Sequence, residues 1–271
     1  RLICSIAATN GWRVWSADVS SAFLRGKTFK ELAARSGKPL RQLQFDVPPG
    51  TVPILRKLPG FESFNPVTET LNMLKPGFGT VDAPWAWALE LSDTLKEHGL
   101  TPTQADPRLY VKHERGRLVL LVSTHVDDLK GCGVDKHVSA LIQFLESKYG
   151  KLVTHYPPFE HCGVMHTVDD KSGDIVMSQD HYTLQLRPIP DASALAMKPD
   201  EPVGQELISA YMSLLGGVAW LAQARADILC FVGHLQRHAK APNASHRLEL
   251  NKLLKYLKRT KASVRYTKPS R

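Results

Sequence analysis

The chain has 271 residues, with 35 Lys+Arg against 26 Asp+Glu, a formal net charge of +9, 43% hydrophobic residues and a mean hydropathy of -0.21. That balance excludes a disordered chain and a collagen-like fibre, and at about 150 residues per domain the length suffices for one large core or two small ones. Cys4, Cys132, Cys162 and Cys230 form no CxxC and no zinc-spaced Cys/His pair. The thiols are therefore expected to be reduced, in an intracellular protein that is not secreted. No apolar run approaches the roughly 20 residues of a membrane span, so no membrane partner is expected.

The opening Arg1-Leu-Ile-Cys-Ser-Ile-Ala-Ala8 reads as a helix entered partway, without a cap or a signal-peptide n-region, and so as a fragment of a longer chain. Trp12 to Val19 (WRVWSADV) is β-prone, carries Asp18 near its end and is closed by the small Ser20-Ser21. From Lys27 to Pro76, Pro, Gly and charged residues recur, which predicts mostly irregular chain with one strand at Gln44 to Val47. Pro84 suits a first helical turn, and Trp85, Ala88, Leu89 and Leu95 follow at helical spacing up to Gly99. Leu109 to Lys112 and Leu118 to Val126 predict a hairpin about Glu114 to Arg117, with Leu129 to Val134 returning beside it. Val138, Leu141, Ile142 and Leu145 give an amphipathic helix ending at Gly150, and Val164 to Val168 with Ile175 to Ser178 a second hairpin. A proline-rich link over 187–202 then separates this α+β body, residues 1–190, from residues 203–271. That region is predicted to be helical throughout, at about 206–223, 227–239 and 244–260.

The positive charge is local. Residues 1–200 hold 23 Lys+Arg and 22 Asp+Glu, whereas residues 201–271 hold 12 and 4. The excess is densest from Arg247 through Lys252, Lys255, Lys258, Arg259, Lys261, Arg265, Lys268 and Arg271, with Glu249 the one acid among them. Such a segregated face fits a phosphate-backbone binder as well as it fits a solvated helix surface.

Asp127-Asp128 is the strongest local signal for chemistry. Adjacent carboxylates in a tight turn repel each other, and Leu118-Val-Leu-Leu-Val122, apolar on both faces, sets that turn at the rim of a buried sheet. Asp18, ending another β-run, supplies a third carboxylate. Three such groups converging from neighbouring strands suit two Mg2+ ions about 3.5–4 Å apart, which would activate a hydroxyl and stabilise a leaving pyrophosphate. An exposed turn that merely favours Asp is the bland alternative.

Several ordered segments carry a family resemblance: Trp15-Ser-Ala-Asp-Val-Ser-Ser-Ala-Phe-Leu-Arg-Gly26, Val47-Pro-Pro-Gly50, Lys75-Pro-Gly-Phe-Gly-Thr-Val-Asp-Ala-Pro-Trp-Ala-Trp87, Ala105-Asp-Pro-Arg-Leu-Tyr110 and His125-Val-Asp-Asp-Leu129. In this order they resemble the reverse transcriptases of Ty1/copia-type retrotransposons. The later Tyr211-Met-Ser-Leu-Leu-Gly-Gly217, Arg225-Ala-Asp-Ile228 and Leu253-Leu-Lys-Tyr-Leu-Lys258 resemble that family's stretch between polymerase and ribonuclease H.

The resemblance implies a reverse-transcriptase-like palm, an antiparallel sheet packed on helices, with partial fingers. The basic helical region that follows would be thumb- or connection-like, with Lys252, Lys255, Lys258, Arg259 and Lys261 on nucleic acid. Asp18, Asp127 and Asp128 would be the catalytic metal ligands, for two Mg2+ or for Mn2+ in their place. Phe23 would pack under the nucleotide sugar and exclude a 2′-hydroxyl, and His161-Cys-Gly163 would fall at the primer-gripping hairpin. The implied partners are an RNA or DNA template-primer duplex, deoxynucleoside triphosphates and the rest of the Pol polyprotein, including integrase and ribonuclease H, in a cytoplasmic particle or the nucleus.

The departures are His125 for Tyr, Asp82 for Gln at the nucleotide-facing position and Trp85 for Arg. In addition, the basic finger strands that precede this point in the family lie ahead of Arg1. The implied activity is RNA-directed DNA polymerase. A decayed copy that binds nucleic acid without polymerising is the alternative, and a two-metal nucleotide cyclase on a similar palm a third, disfavoured by the basic tail.

Overall fold

The computed structural model describes residues 1–48, 50–190 and 204–269. Pro49 of the Val47-Pro-Pro-Gly50 motif, most of the expected link over 187–202 and Arg271 lie outside the described residues. Contacts divide the chain into two compact units, Ala17–Thr154 and a discontinuous one of Arg1–Ser16 with His155–Arg271. Both mix helices with sheet.

The opening helix α1 (Leu2–Asn10) stops at Gly11, whose left-handed φ of 67° lets its N–H bond back to Ala7 and Ala8. Strand β1 (Val14–Asp18) is buried except at its last residue. The stretch expected to be mostly irregular holds more structure than its Pro and Gly content suggested: α2 (Phe29–Ser36), β2 (Gln44–Phe45), α3 (Val52–Leu55) and β3 (Leu71–Asn72), with β2 and β3 paired antiparallel. A capping box starts α2, in which the Thr28 hydroxyl accepts from the Glu31 N–H and the Glu31 carboxylate from the Thr28 N–H. Thr28-Phe-Lys-Glu31 was the readable signal, and Phe29 and Leu32 bury the face it nucleates.

Helix α4 (Ala83–Glu97) carries Pro84 in its first turn. Strands β4 (Thr101–Pro102), β5 (Leu109–Glu114), β6 (Arg117–His125) and β7 (Asp128–Gly133) follow, then α5 (Asp135–Tyr149) and β8 (Val153–His155). The β5–β6 connection is Arg115-Gly116, both at positive φ (49° and 74°), the two-residue turn whose twist matches an antiparallel pair. The sheet runs β4-β5-β6-β7-β1-β8. Its centre is apolar on both faces, since Val119 to Val122 are all buried. Helices α4 and α5 are joined by a 2.6 Å hydrogen bond between the Thr94 and Tyr149 hydroxyls, and Trp87 meets the Tyr149 ring edge-on at 5.2 Å.

The second unit has a four-stranded sheet in the order β12-β11-β10-β9, from β9 (Phe159–His161), β10 (Val164–Val168), β11 (Ile175–Ser178) and β12 (Val264–Tyr266). Its helices are α6 (Asp180–Gln185), α7 (Gln205–Leu221), α8 (Leu229–Arg237) and α9 (Ala244–Arg259). The C-terminal region is therefore not helical throughout, because β12 adds an edge to β11. Arg265 fixes that edge, its guanidinium 2.9 Å from Asp169 and 3.0 Å from Asp174. Val264-Arg-Tyr266 is too short a β-prone run to stand out beside a 16-residue helix. In α7, Gly217 permits close packing, since a Cβ there would lie 2.8 Å from Leu186, whereas Gly216 has open space around it.

The helical core of this unit is Tyr211, Leu214, Val218 and Leu221 of α7 against Ile228, Val232 and Leu235 and against Leu250, Leu254 and Leu257 of α9. A polar lock closes it. Arg225, 3% exposed, donates a bidentate pair to Asp227 (2.9 and 2.8 Å) and two further bonds to Thr260 at the end of α9, while the Tyr256 hydroxyl donates to the same carboxylate at 3.0 Å. The Asp227 carboxyl is held below its ordinary value, chiefly by the Arg225 hydrogen bond. Its stabilisation is thus present above the unfolded value of about 3.9 and is lost as pH falls through the lower folded value. Asp227→Ala leaves a buried guanidinium with one partner fewer. Urea unfolding at pH 7 should show a loss of about 3 kcal/mol, the low end for a broken buried pair because Asp227 is partly exposed, and the deficit should shrink toward pH 2.

Candidate active site

Asp18 ends β1, and β1 lies beside β7 in the sheet, so its carboxylate and those of the β6–β7 hairpin share one rim. In that hairpin His125 pairs with Asp128 across a two-residue connection, Val126-Asp127. Val126 has φ 57°, in the left-handed region that a β-branched residue ordinarily avoids. The strained turn is held by its backbone: the Trp87 indole N–H donates to the Val126 carbonyl at 2.6 Å, and the Val19 N–H approaches the Asp127 carbonyl at 3.4 Å. Trp87 is fully buried, so the clamp is anchored in the core, while Asp127 projects into solvent and Asp18 and Asp128 are half-buried.

The two half-buried carboxyls feel their acidic neighbours. Burial first, and then the charge of Asp127, raises the Asp18 carboxyl above its ordinary value. Asp128 is raised by burial, then by Asp127 and Asp18, with the imidazole of His125 opposing. None of the three forms an ion pair with Lys or Arg among the described residues. Carboxylate oxygens are the donor chemistry that suits hard divalent cations such as Mg2+ or Mn2+.

Phe23 lies in a 3-10 turn over Ala22–Arg25, partly buried, with its ring edge-on to Phe78 at 5.5 Å. That turn leads into Gly26, where a Cβ would sit 2.9 Å from the backbone of both Ala86 and Trp87. Glycine at 26 therefore lets the Asp18–Phe23 segment abut the start of α4 beside the clamping tryptophan. Asp82 precedes α4 and is ion-paired with Arg41. Trp85 and His125 are exposed.

In the other unit, Lys252, Lys255, Lys258 and Arg259 lie on the exposed face of α9, and Lys261 just beyond is exposed too. Two residues leave the expected basic run: Arg247 is 2% exposed, with its guanidinium 3.4 Å from the Pro190 carbonyl, and Arg265 is paired with Asp169 and Asp174. His161-Cys162-Gly163 forms the β9–β10 turn, with Cys162 and Gly163 at φ 50° and 71°. His166 is buried and stacks on Phe159 at 4.9 Å, a structural role.

Sequence reading missed Trp87, Val19 and Gly26. Val19 acts through its backbone N–H and Gly26 through a missing side chain, which no residue pattern announces; Trp87 acts through its indole on a backbone carbonyl and had a legible sign only in being a tryptophan on the inner face of α4.

No protein-family model matches the chain. It is similar over 95% of its length to retrovirus-related Pol polyproteins from the transposons RE2 (25% identity) and RE1 (23%) of Arabidopsis thaliana, and over 96% to that of the transposon TNT 1-94 of Nicotiana tabacum (23%). The resemblance to transposon Pol polyproteins drawn from the motifs is thereby borne out. The chain spans only 17–19% of the length of these relatives. No helix of the described residues is long and apolar enough to cross a membrane.

Because burial and like charge raise the Asp128 carboxyl, its ionised form destabilises the fold, and that penalty grows as pH rises through the folded value. Asp128→Asn should therefore raise the melting temperature at pH 7 and lose the advantage once pH falls below the ordinary Asp value of about 3.9. A melting temperature unchanged or lowered at pH 7 would show that the carboxylates are not in conflict.

Proposed function

We propose that the chain is the reverse transcriptase portion of a copia-type retrotransposon Pol polyprotein, an RNA-directed DNA polymerase built on a palm-like sheet. The supporting observation is the shared rim of Asp18, Asp127 and Asp128 on adjacent strands, with like charge and, among the described residues, no Lys or Arg ion-paired to it. These three would hold two Mg2+ ions, which when bound would lower the pKa of a primer 3′-hydroxyl and neutralise charge on the leaving pyrophosphate. The protein's own contribution is positional. The Trp87 clamp keeps the hairpin backbone in one geometry, so that Asp127 and Asp128 need no reorganisation when the substrate arrives. Phe23, held against Phe78, offers a ring face for the deoxyribose. Lys252, Lys255, Lys258, Arg259 and Lys261 would track the phosphates of a template-primer duplex.

The reading as a decayed copy drew on Asp82 as a stray negative charge beside a triphosphate. It drew also on Trp85 and on the fingers; the ion pair of Asp82 with Arg41 offsets the first of these three points and supports the catalytic reading.

One comparison tests the assignment. In a Pol protein carrying this chain, primer extension with deoxynucleotides should need Mg2+ and stop with EDTA. Asp127→Asn should abolish extension while leaving duplex affinity within about twofold, because only metal ligation is removed. Conversely, the triple change Lys252→Ala, Lys255→Ala and Lys258→Ala should weaken duplex binding and flatten its log–log salt slope by up to about 0.9 per lost phosphate contact. Extension that survives Asp127→Asn refutes the catalytic role, and a salt slope unaltered by the triple change refutes the duplex face.

A further inference from the structure

Helices α8 and α9 bring together three histidines that polymerase chemistry does not use. His234 and His238 lie one turn apart, His238 as the residue that ends α8, and His246 stands in the first turn of α9. One nitrogen from each ring lies within 4.8 Å of the others. The ring centroids are 5.3 Å apart for His234–His238, 6.2 Å for His234–His246 and 3.9 Å for His238–His246. Three imidazoles bound tetrahedrally at the usual zinc–nitrogen distance have centroids about 5 Å apart, in the middle of that range. Glu249, three residues beyond His246, reaches within 3.4 Å of His234 Nε2 and sets a carboxylate beside the cluster.

We propose that His234, His238, His246 and Glu249 form a binding site for a divalent transition-metal ion, with Zn2+ the best match to three imidazoles and one carboxylate. The ion would tie the end of α8 to the start of α9. Two adjustments accompany binding. His238 and His246 are stacked with only 17° between their planes, so at least one ring turns to aim both nitrogens at a single ion. His246 Nδ1 accepts the Asn243 N–H at 3.2 Å, which leaves the proton on Nε2, and ligation through either nitrogen gives up that bond. The cap contributed by the Asn243 side chain, which accepts the His246 N–H at 3.0 Å, is untouched. These costs place the affinity below that of a preformed structural site. Mg2+ prefers oxygen ligands and is not expected to compete, which separates this site from the carboxylate rim.

The test uses the full chain with metal alone. Co2+, added with excess Mg2+ present, should develop the visible absorption of a tetrahedral site at one equivalent, and Zn2+ should displace it. His234→Gln and His238→Gln should each weaken Co2+ binding by about tenfold or more, with unchanged circular dichroism, since neither ring is in the core. Asp127→Asn should leave the absorption unaltered. Absence of the band, a band that survives both histidine substitutions, or one lost with Asp127→Asn would each overturn the proposal.

Discussion

The hydrogen bond from the Trp87 indole to the Val126 carbonyl is the contact on which the geometry of the carboxylate rim depends. A β-branched residue at φ 57° stores strain of about 1–3 kcal/mol, and a two-residue hairpin tip has few contacts with which to offset it. The offset comes from α4. Trp87 is wholly buried, packed edge-on to Tyr149, and Tyr149 is itself bonded to Thr94 one helical stretch further on. The tip that presents Asp127 is thus held by the same core that joins α4 to α5. Gly26 extends that dependence to Phe23, since its missing side chain lets the segment after β1 reach the backbone of Ala86 and Trp87. Side chains of opposite purpose, an apolar clamp and three acids, are positioned by one helix start.

Much of this was legible in the sequence where local signals agree. Pro84 and Gly99 bracket α4 to within two residues, Gly116 marks the β5–β6 turn, and the apolar run Leu118 to Val122 marks a strand buried on both faces. Asp18 at the end of β1 and Asp127-Asp128 at the next turn were readable as the acids of one sheet edge because both runs stop at small or polar residues. What failed to show has a common cause. Helix α2 was masked by the Pro and Gly around it although Thr28 and Glu31 spell its cap, and β12 is three residues whose partner strand lies almost ninety positions earlier. The pairing of Asp82 with Arg41 spans 41 residues and no periodicity announces it. Charge counts have the same blindness: Arg247 is buried and Arg265 is engaged by Asp169 and Asp174, so both add to the basic total differently from the exposed Lys252, Lys255, Lys258, Arg259 and Lys261.

The second unit rests on a comparable economy of polar contacts. Arg225 joins the turn before α8 to the end of α9 through Asp227, Thr260 and Tyr256, so the helix that presents the basic face is fixed at its C-terminal end by a buried cation. Its N-terminal end is fixed by the Asn243–His246 box, beside the histidine cluster. Between those ends the solvent face is left to Lys252, Lys255 and Lys258, spaced three residues apart on one side of the helix.

Anomalous diffraction from crystals grown with Mn2+ and a template-primer duplex decides whether the rim of Asp18, Asp127 and Asp128, proposed above as a two-metal site, holds two ions. Two anomalous peaks about 3.5–4 Å apart, both within bonding distance of these carboxylates, are the expected result. A rim without manganese, or ions held by other side chains while these three carboxylates stay unligated, would contradict it.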